Sequence, residues 1–250
     1  MNATDLLVPD WPAPEGVRAA FTLRTGGVSA PPFASLNLGT HVGDAARAVA
    51  ENRARVRQFL ELPGEPVWLE QAHGRRVLDL DRPYGGSGGS PGPADASLTR
   101  EPGRVCVIQV ADCMPVLLAA ADGSAVAAAH AGWRGLAGGV LESTVRALGV
   151  PPRELLAWLG PAISQPHFEV GDEVRAAFLA HDPGSSGAFL ANARGRWQCD
   201  LCALARRRLA AIGVERVHGG PWCTFADAGR FFSYRREGRC GRMGALIWRE

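Results

Sequence analysis

Two short apolar runs, residues 114–121 and 124–129, are separated only by Asp122-Gly123. Asp-Gly between such runs is a strong β-hairpin signal, because a tight turn needs backbone that these residues adopt easily. A two-residue turn pairs Ala121 with Ser124. Carried along the ladder, that register sets His130 opposite Pro115 and Cys113 opposite Gly132. Residues two apart on a strand share a face. Cys113 and His130 then become diagonal neighbours, roughly 7–8 Å apart at Cα and closer at their tips. A loop one residue longer would put them on opposite faces. Pro115 has no N–H to donate, so regular pairing could end there.

His73, in the run WLEQAHGRRV, supplies a third donor to this pair. Two imidazoles and one thiol leave a fourth tetrahedral position open, the pattern of a catalytic rather than a structural zinc site. A cysteine among apolar residues is otherwise a small core hydrophobe. Cys113, however, follows Asp112, and His130 precedes Gly132, Trp133, Arg134 and Gly135; polar residues at strand ends beside glycine are where sites form.

With 250 residues the chain can bury a substantial core as one domain, and its net charge of +2 gives no general attraction to nucleic acid or membrane. All 27 basic residues are arginine. The absence of lysine excludes a Schiff base, a Walker-A loop and a Ser-Lys dyad. The start MNATDLLVPDWPAPEG lacks a basic segment followed by an apolar one, so no signal peptide is expected. No run of about 18 apolar residues suggests a membrane span. The six cysteines are then expected as reduced thiols in the cytoplasm. Cys199 and Cys202 form a C-x-x-C before a helical pattern; core packing and a redox pair are both readings of it.

Strands are expected over 17–22, 66–71, 77–80, 105–110, 155–159, 231–235 and 243–248. Asp44 is placed to cap a helix reaching about Leu60, and further helices are expected over 136–148, 172–180 and 200–212. The loop RTGGVSAPPFASLNLGTHVGD is long enough to suggest a function. Residues 84–94 read as a flexible Gly/Ser/Pro-rich insertion. Hairpins mixed with strand-helix-strand segments indicate an α/β or α+β fold with mixed sheets.

Other polar residues cluster near the three donors in sequence. Gln71 shares a strand face with His73 and is suited to a substrate's polar edge. Asp112 is placed to buttress a ligand. Arg134, at a helix start, suits an anion, and Trp133 suits stacking on a planar substrate or packing. The tail FFSYRREGRCGRMG carries Arg235, Arg236, Arg239 and Arg242, an ordinary solvated face or an anion pocket. His41, His167, His181 and His218 have no partner pattern and are expected to be structural or exposed.

The ordered motifs EQ-x-H, ADC-x-P, HAGWRG, GP-x-I followed by EVG, and FFSYRR with GRMG resemble the laccase-domain family, also called the YfiH-like or multicopper polyphenol oxidoreductase family. The resemblance spans about Arg18 to Trp248. It implies layered mixed sheets flanked by helices, similar to the deamidase domain of cytotoxic necrotizing factor. It also implies metal ligation by His73, Cys113 and His130. The implied activity is zinc-linked purine nucleoside chemistry: phosphorolysis of adenosine, inosine, guanosine and methylthioadenosine, and deamination of adenosine. Two departures stand out. Phe168 replaces an expected tyrosine, and Cys199 and Cys202 are unexpected.

Multicopper oxidation needs roughly ten His ligands with paired H-x-H spacing. Six histidines and no H-x-H argue against it, although copper competes well for a site of nitrogen and sulfur donors. For deamination, activated water attacks C6 of adenine and a carboxyl group moves the protons; Asp112 and Glu169 are the candidates. For phosphorolysis, Arg134 and Arg235 suit phosphate, while Ser35 and Asn37 in the long loop suit ribose or base. The alternative is a metal-free hydrolase or amidase with Cys113 as nucleophile and His130 as base, acting on cell-wall precursors or peptide amides. His73 separates the two readings, because a dyad does not need it. The motifs say nothing of oligomeric state.

Overall fold

The hairpin forms in the expected register, with Pro115 paired to His130 and Met114 to Ala131. Its turn is wider than two residues. Ala120 N–H donates to Ala125 O, while Ala121 N–H turns away to Glu154 O. Four loop residues and two preserve the same alternation, so the facing of every side chain is unchanged. The computed structural model describes residues 1–83 and 92–250; most of the insertion expected at 84–94 therefore lies outside the described residues.

Around this hairpin the described residues form three sheets. The largest runs Arg216–Gly219, Leu155–Leu159, Met114–Ala120, Val126–Ala131, Ala96–Thr99 and Val77–Asp79. A five-stranded sheet runs Leu6–Leu7, Val17–Thr22, Met243–Arg249, Val105–Val110 and Val67–Trp68. A small third sheet holds Glu169–Val170, Trp197–Cys199 and Phe189–Ala191. Both large sheets mix parallel and antiparallel pairs.

The burial pattern explains the layering. Met114, Val116, Leu118 and Ala120 pack with the helices Val140–Leu148, Asp172–Leu179 and Leu201–Ala211 on one face. Leu117 and Ala119 point the other way and meet Phe21, Ile108 and Ile247 of the five-stranded sheet. A strand buried on both faces has no polar alternation, which is why residues 114–120 read as continuous apolar sequence. Behind the second sheet, Val105, Val107 and Leu246 pack on Leu36 and Leu38 of the long loop and on Val56 of the helix Ala46–Phe59. The long loop is thus the outer cover of that sheet.

Four expectations are corrected. Residues 231–235 are not a strand: Phe231 and Phe232 are buried anchors, and Ser233 accepts from Arg236 N–H to cap a short helix, Tyr234–Glu237. The helix expected over 136–148 starts earlier and breaks in two at Gly139, whose φ of 92° lies in the left-handed region. Asp44 does not cap the first helix through its interior; its carboxylate takes the adjacent Ala45 N–H, Ser29 Oγ and Asn37 Nδ2. The strand expected over 66–71 stops at Trp68. There the Gln71 side chain continues the pairing, accepting from Gln109 N–H and donating to Gln109 O, each at 2.8 Å. The Cys199 and Cys202 thiols are packed rather than poised for redox chemistry. Burial pushes them up to about 12 and about 11, which suppresses the thiolate that exchange requires.

Leu117 is fully buried between the two large sheets. Leu117→Ala is expected to lower stability by about 2–5 kcal/mol, measured as a shift in the urea unfolding midpoint with an unchanged slope.

Candidate metal and nucleoside site

His73, Cys113 and His130 converge, with one ligand atom from each lying within 4.8 Å of the others. Three different local structures deliver them. His130 sits near the end of the strand Val126–Ala131, on the face it shares with Ala128 toward the inter-sheet layer. Cys113 leaves the facing strand just before Met114. His73 comes from the turn after Val67–Trp68. His73 and Asp112 both have left-handed backbone, φ 59° and 86°, a conformation costing a non-glycine residue roughly 1–2 kcal/mol.

Asp95 offsets that cost at the His73 turn. Its carboxylate accepts from three successive backbone N–H groups, Ala72 at 3.2 Å, His73 at 2.8 Å and Gly74 at 2.6 Å. The same carboxylate lies 2.8 Å from His130 Nδ1, and His130 N–H donates to Asp95 O. Burial pushes the Asp95 carboxyl up, but the His130 bond and the backbone N–H groups outweigh it and hold it below its ordinary value. Nδ1 is thereby committed to Asp95, leaving Nε2 of His130 as the donor toward the other two residues. Sequence reading assigned that buttress to Asp112 and passed over Asp95. Its one signal in the sequence is a carboxylate set between alanines, immediately before the strand Ala96–Thr99.

Small residues make the approach possible. A Cβ on Gly132 would sit 2.7 Å from Cys113 Sγ and 3.3 Å from His73 Cδ2. A Cβ on Gly135 would sit 2.9 Å from Gly74 O and 3.2 Å from His130 O. The HAGWRG run therefore needs glycine at both positions for clearance against the two loops. His73 Nε2 lies 3.9 Å from Cys113 Sγ, and its ring meets His130 edge-on at 4.8 Å between centroids.

Charge couples Cys113 and His130. Burial pushes the Cys113 thiol up, but the His130 charge and hydrogen bond, with His73 behind them, bring it down to about 6. Burial lowers His130, while Cys113 and Asp95 raise it to about 9. In the metal-free protein each charge favours the other, so the coupling lowers the thiol and raises the imidazole. A thiolate and two imidazoles, one oriented by a carboxylate, fit a divalent zinc ion in donor type and number.

Two adjoining cavities share His73, Ala111, Cys113 and Tyr234 in their linings. One, of about 290 Å³, is lined by Trp133, Ile163, Phe168 and Leu201, with Arg134 and Arg235 at its edge. The Arg134 guanidinium lies 4.5 Å from the Trp133 ring centre and that of Arg235 lies 5.3 Å from Phe168. The other, of about 360 Å³, is lined by His41, Gln71, Gln109 and Arg242 as well as His130.

Several residues singled out in sequence are placed differently. Asn37 is buried and its carboxamide is saturated: Nδ2 donates to Gly39 O and Asp44, and Oδ1 accepts from Gly39 and Arg242 N–H. Ser35 Oγ accepts from Gly27 N–H and donates to Arg24 O inside the long loop. Asp112 borders the aromatic cavity, but its two oxygens take Thr224 Oγ1 and Arg235 N–H. Glu169 pairs with Arg194 and Asn192 and borders neither cavity. Gln71 is spent on Gln109 as described. Arg236 is structural, donating to Thr224, Phe225 and Phe231 carbonyls. His41, expected to be structural or exposed, lines the second cavity. The length of its loop was the signal for it.

Two outcomes follow from the carboxylate and the coupled pair. Asp95→Asn is expected to weaken zinc binding by about 10–100-fold, read by competition with a chelating dye. In metal-free protein, alkylation of Cys113 by iodoacetamide is expected to stay fast until pH falls through about 6, and His130→Ala is expected to return the midpoint toward 9.0. A depressed thiol keeps its thiolate above the folded value and loses it below. Mass spectrometry of the Cys113 peptide gives the rates.

The family model for multi-copper polyphenol oxidoreductase laccase matches residues 18–250. A purine nucleoside phosphorylase of Pseudomonas aeruginosa is 54% identical, with 99% of each chain covered. The Escherichia coli purine nucleoside phosphorylase YfiH is 51% identical, covering 97% of this chain and 98% of that one. A crystal structure of a Neisseria meningitidis protein superposes with a TM-score of 0.92 at 47% identity, covering 98% of this chain and 99% of the other. YlmD of Geobacillus stearothermophilus also gives 0.92, at 32% identity, covering 100% and 98%. The chain belongs to the laccase-domain, YfiH-like family.

Proposed function

We propose that this protein is a zinc-dependent purine nucleoside phosphorylase acting as one catalytic domain. Adenosine, inosine, guanosine and methylthioadenosine are the proposed substrates, and adenosine deamination is a second activity. The carrying observation is kinship: relatives named purine nucleoside phosphorylase are 54% and 51% identical over nearly the whole chain. The geometry supports it, because His73 and Cys113 line an aromatic cavity of about 290 Å³, near the lower end of the range for small-ligand sites. Trp133 and Phe168 suit the faces of a purine. Arg235, whose Nη1 donates to Glu169 O at 2.9 Å, is fixed beside them.

His73, Cys113 and His130 would hold the zinc, which supplies Lewis acidity at the reacting centre. Asp95 keeps the His130 ring oriented so that its Nε2 faces the other two donors. Among the described residues the one carboxylate lining the two cavities is Asp112, and each of its oxygens already accepts a hydrogen bond. This favours phosphorolysis over deamination, which needs a proton shuttle at the base. A multicopper laccase would need far more imidazoles than the six histidines of this chain.

A second reading retains one specific observation. Asp95, His130 and Cys113 form a carboxylate–imidazole–thiolate line with a depressed thiol, the arrangement of a cysteine hydrolase or amidase. Cell-wall precursors or peptide amides would be its substrates. It does not need His73.

Purified protein of known metal content should convert adenosine to adenine only with phosphate present, with about one zinc per chain. His73→Ala and Cys113→Ala should each abolish that conversion. Inosine formed without phosphate would measure the deaminase activity. A zinc-loaded protein that turns over no purine nucleoside would sink the proposal, and amide hydrolysis that survives both chelation and His73→Ala would put the cysteine hydrolase in its place.

A further inference from the structure

The second cavity has no assigned occupant. Its floor is the strand Val105–Val110, and by strand alternation Gln109 shares the face of Val107, which packs under Leu38 of the long loop. Gly244 lies opposite Gln109, so Arg242, two residues before it, borders the same face. The loop is stitched to this edge: Arg242 N–H donates to Asn37, and Leu38 N–H to Arg242 O. That stitching brings His41 over the cavity.

Three observations describe what would fit. Gln109 is 6% exposed, yet its Oε1 is buried without a hydrogen-bond partner, a state that native structures rarely leave unexplained. Arg242 spends Nη1 on the carbonyls of Cys240 and Gly241; among the described residues Nε and Nη2 have no protein partner. Among the described residues no carboxylate lines the cavity. Partial burial, then the charges of Arg242 and Arg53, hold the His41 imidazole below its ordinary value, so the local field is positive.

We propose that this cavity is the phosphate subsite, in which His41, Gln109 and Arg242 hold the attacking hydrogen phosphate while the base occupies the aromatic cavity. The assignment rests on the phosphorylase reading above. Displacement at the sugar C1′ requires the attacking oxygen and the departing base on opposite sides, aligned before reaction. The two cavities adjoin along a shared lining of His73, Ala111, Cys113 and Tyr234, so a ribose seated at that junction would reach both. A phosphate oxygen forms the bond to C1′ as the C1′–N9 bond breaks. The bonding electrons leave with the purine, which takes the proton that hydrogen phosphate brought, giving ribose 1-phosphate and free base. The donors of Arg242 and His41 suit the phosphate oxygens, and the Gln109 acceptor suits the P–OH group.

Binding of inorganic phosphate to the zinc-loaded protein, measured by calorimetry, tests this without turnover. Gln109→Glu keeps the side-chain shape and adds a repelling charge. His41→Ala alters a loop residue that stays partly open to solvent and guards against a folding failure. Both should weaken phosphate binding about tenfold or more, the worth of one hydrogen bond to a charged group, while Phe168→Ala leaves it unchanged. In steady-state kinetics the first two should raise KM for phosphate and the third KM for the nucleoside. Phosphate binding that is absent, indifferent to Gln109 and His41, or lost in Phe168→Ala overturns the assignment. Phosphate that binds through Gln109 in a protein inert toward nucleosides would uphold the subsite and defeat the phosphorylase reading instead.

Discussion

The Asp95 carboxylate is the interaction on which the site depends. It is 1% exposed, and an ionised group so buried is tolerated only when its lone pairs are filled. Four donors fill them: the N–H groups of residues 72–74 and the ring of His130. These donors belong to two sheets. Residues 72–74 follow a strand of the five-stranded sheet, and His130 ends a strand of the six-stranded sheet. One buried charge therefore fixes the left-handed turn that presents His73, sets the tautomer of His130, and pins the sheets together at the edge where the ligands meet.

Clearance is the second constraint. Charge draws Cys113 toward His130, but nothing in that attraction makes room for the sulfur. Room comes from Gly132, where a Cβ would contact both Cys113 and His73, and from Gly135, which lets the following helix sit against Gly74 O and His130 O. The alanines at 127–129 and 131 do the same inside the sheet, all fully buried. Donor atoms close enough for one ion follow from small residues around them as much as from the donors themselves.

Sequence reading reached the hairpin register because alternation has a period of two and a proline and a histidine could be counted against each other. The register survived a turn wider than expected, since adding a pair of residues does not flip a face. It failed where tertiary demands override local preference. Phe-Phe-Ser-Tyr favours a strand by propensity, but two buried rings and a capping serine make it a loop and a helical turn. Asn37 and Gln71 read as substrate ligands, and Asp112 as a buttress or proton carrier, because they are polar and near the motifs. Their partners, Arg242, Gln109 and Thr224, come from distant parts of the chain. Asp95 and Gln109 were missed for the same reason in reverse: nothing local shows that one gathers four donors and the other has an orphaned acceptor.

The Asp95–His130–Cys113 line is by itself sufficient for thiol chemistry, and a fold with this line could serve a hydrolase. His73 is what redirects it. Its ring adds to the lowering of the Cys113 thiol, but His130, oriented by Asp95, contributes more. Yet the protein holds His73 at φ 59° with bonds from a buried carboxylate. A costly conformation maintained at a site implies a use for the geometry. A third donor directed at the other two has an evident use in sharing an ion with them, and a dyad does not need it. The same turn makes His73 part of the lining that the two cavities share. The constraint that builds the ion site therefore also sets the donors at the junction of the two cavities.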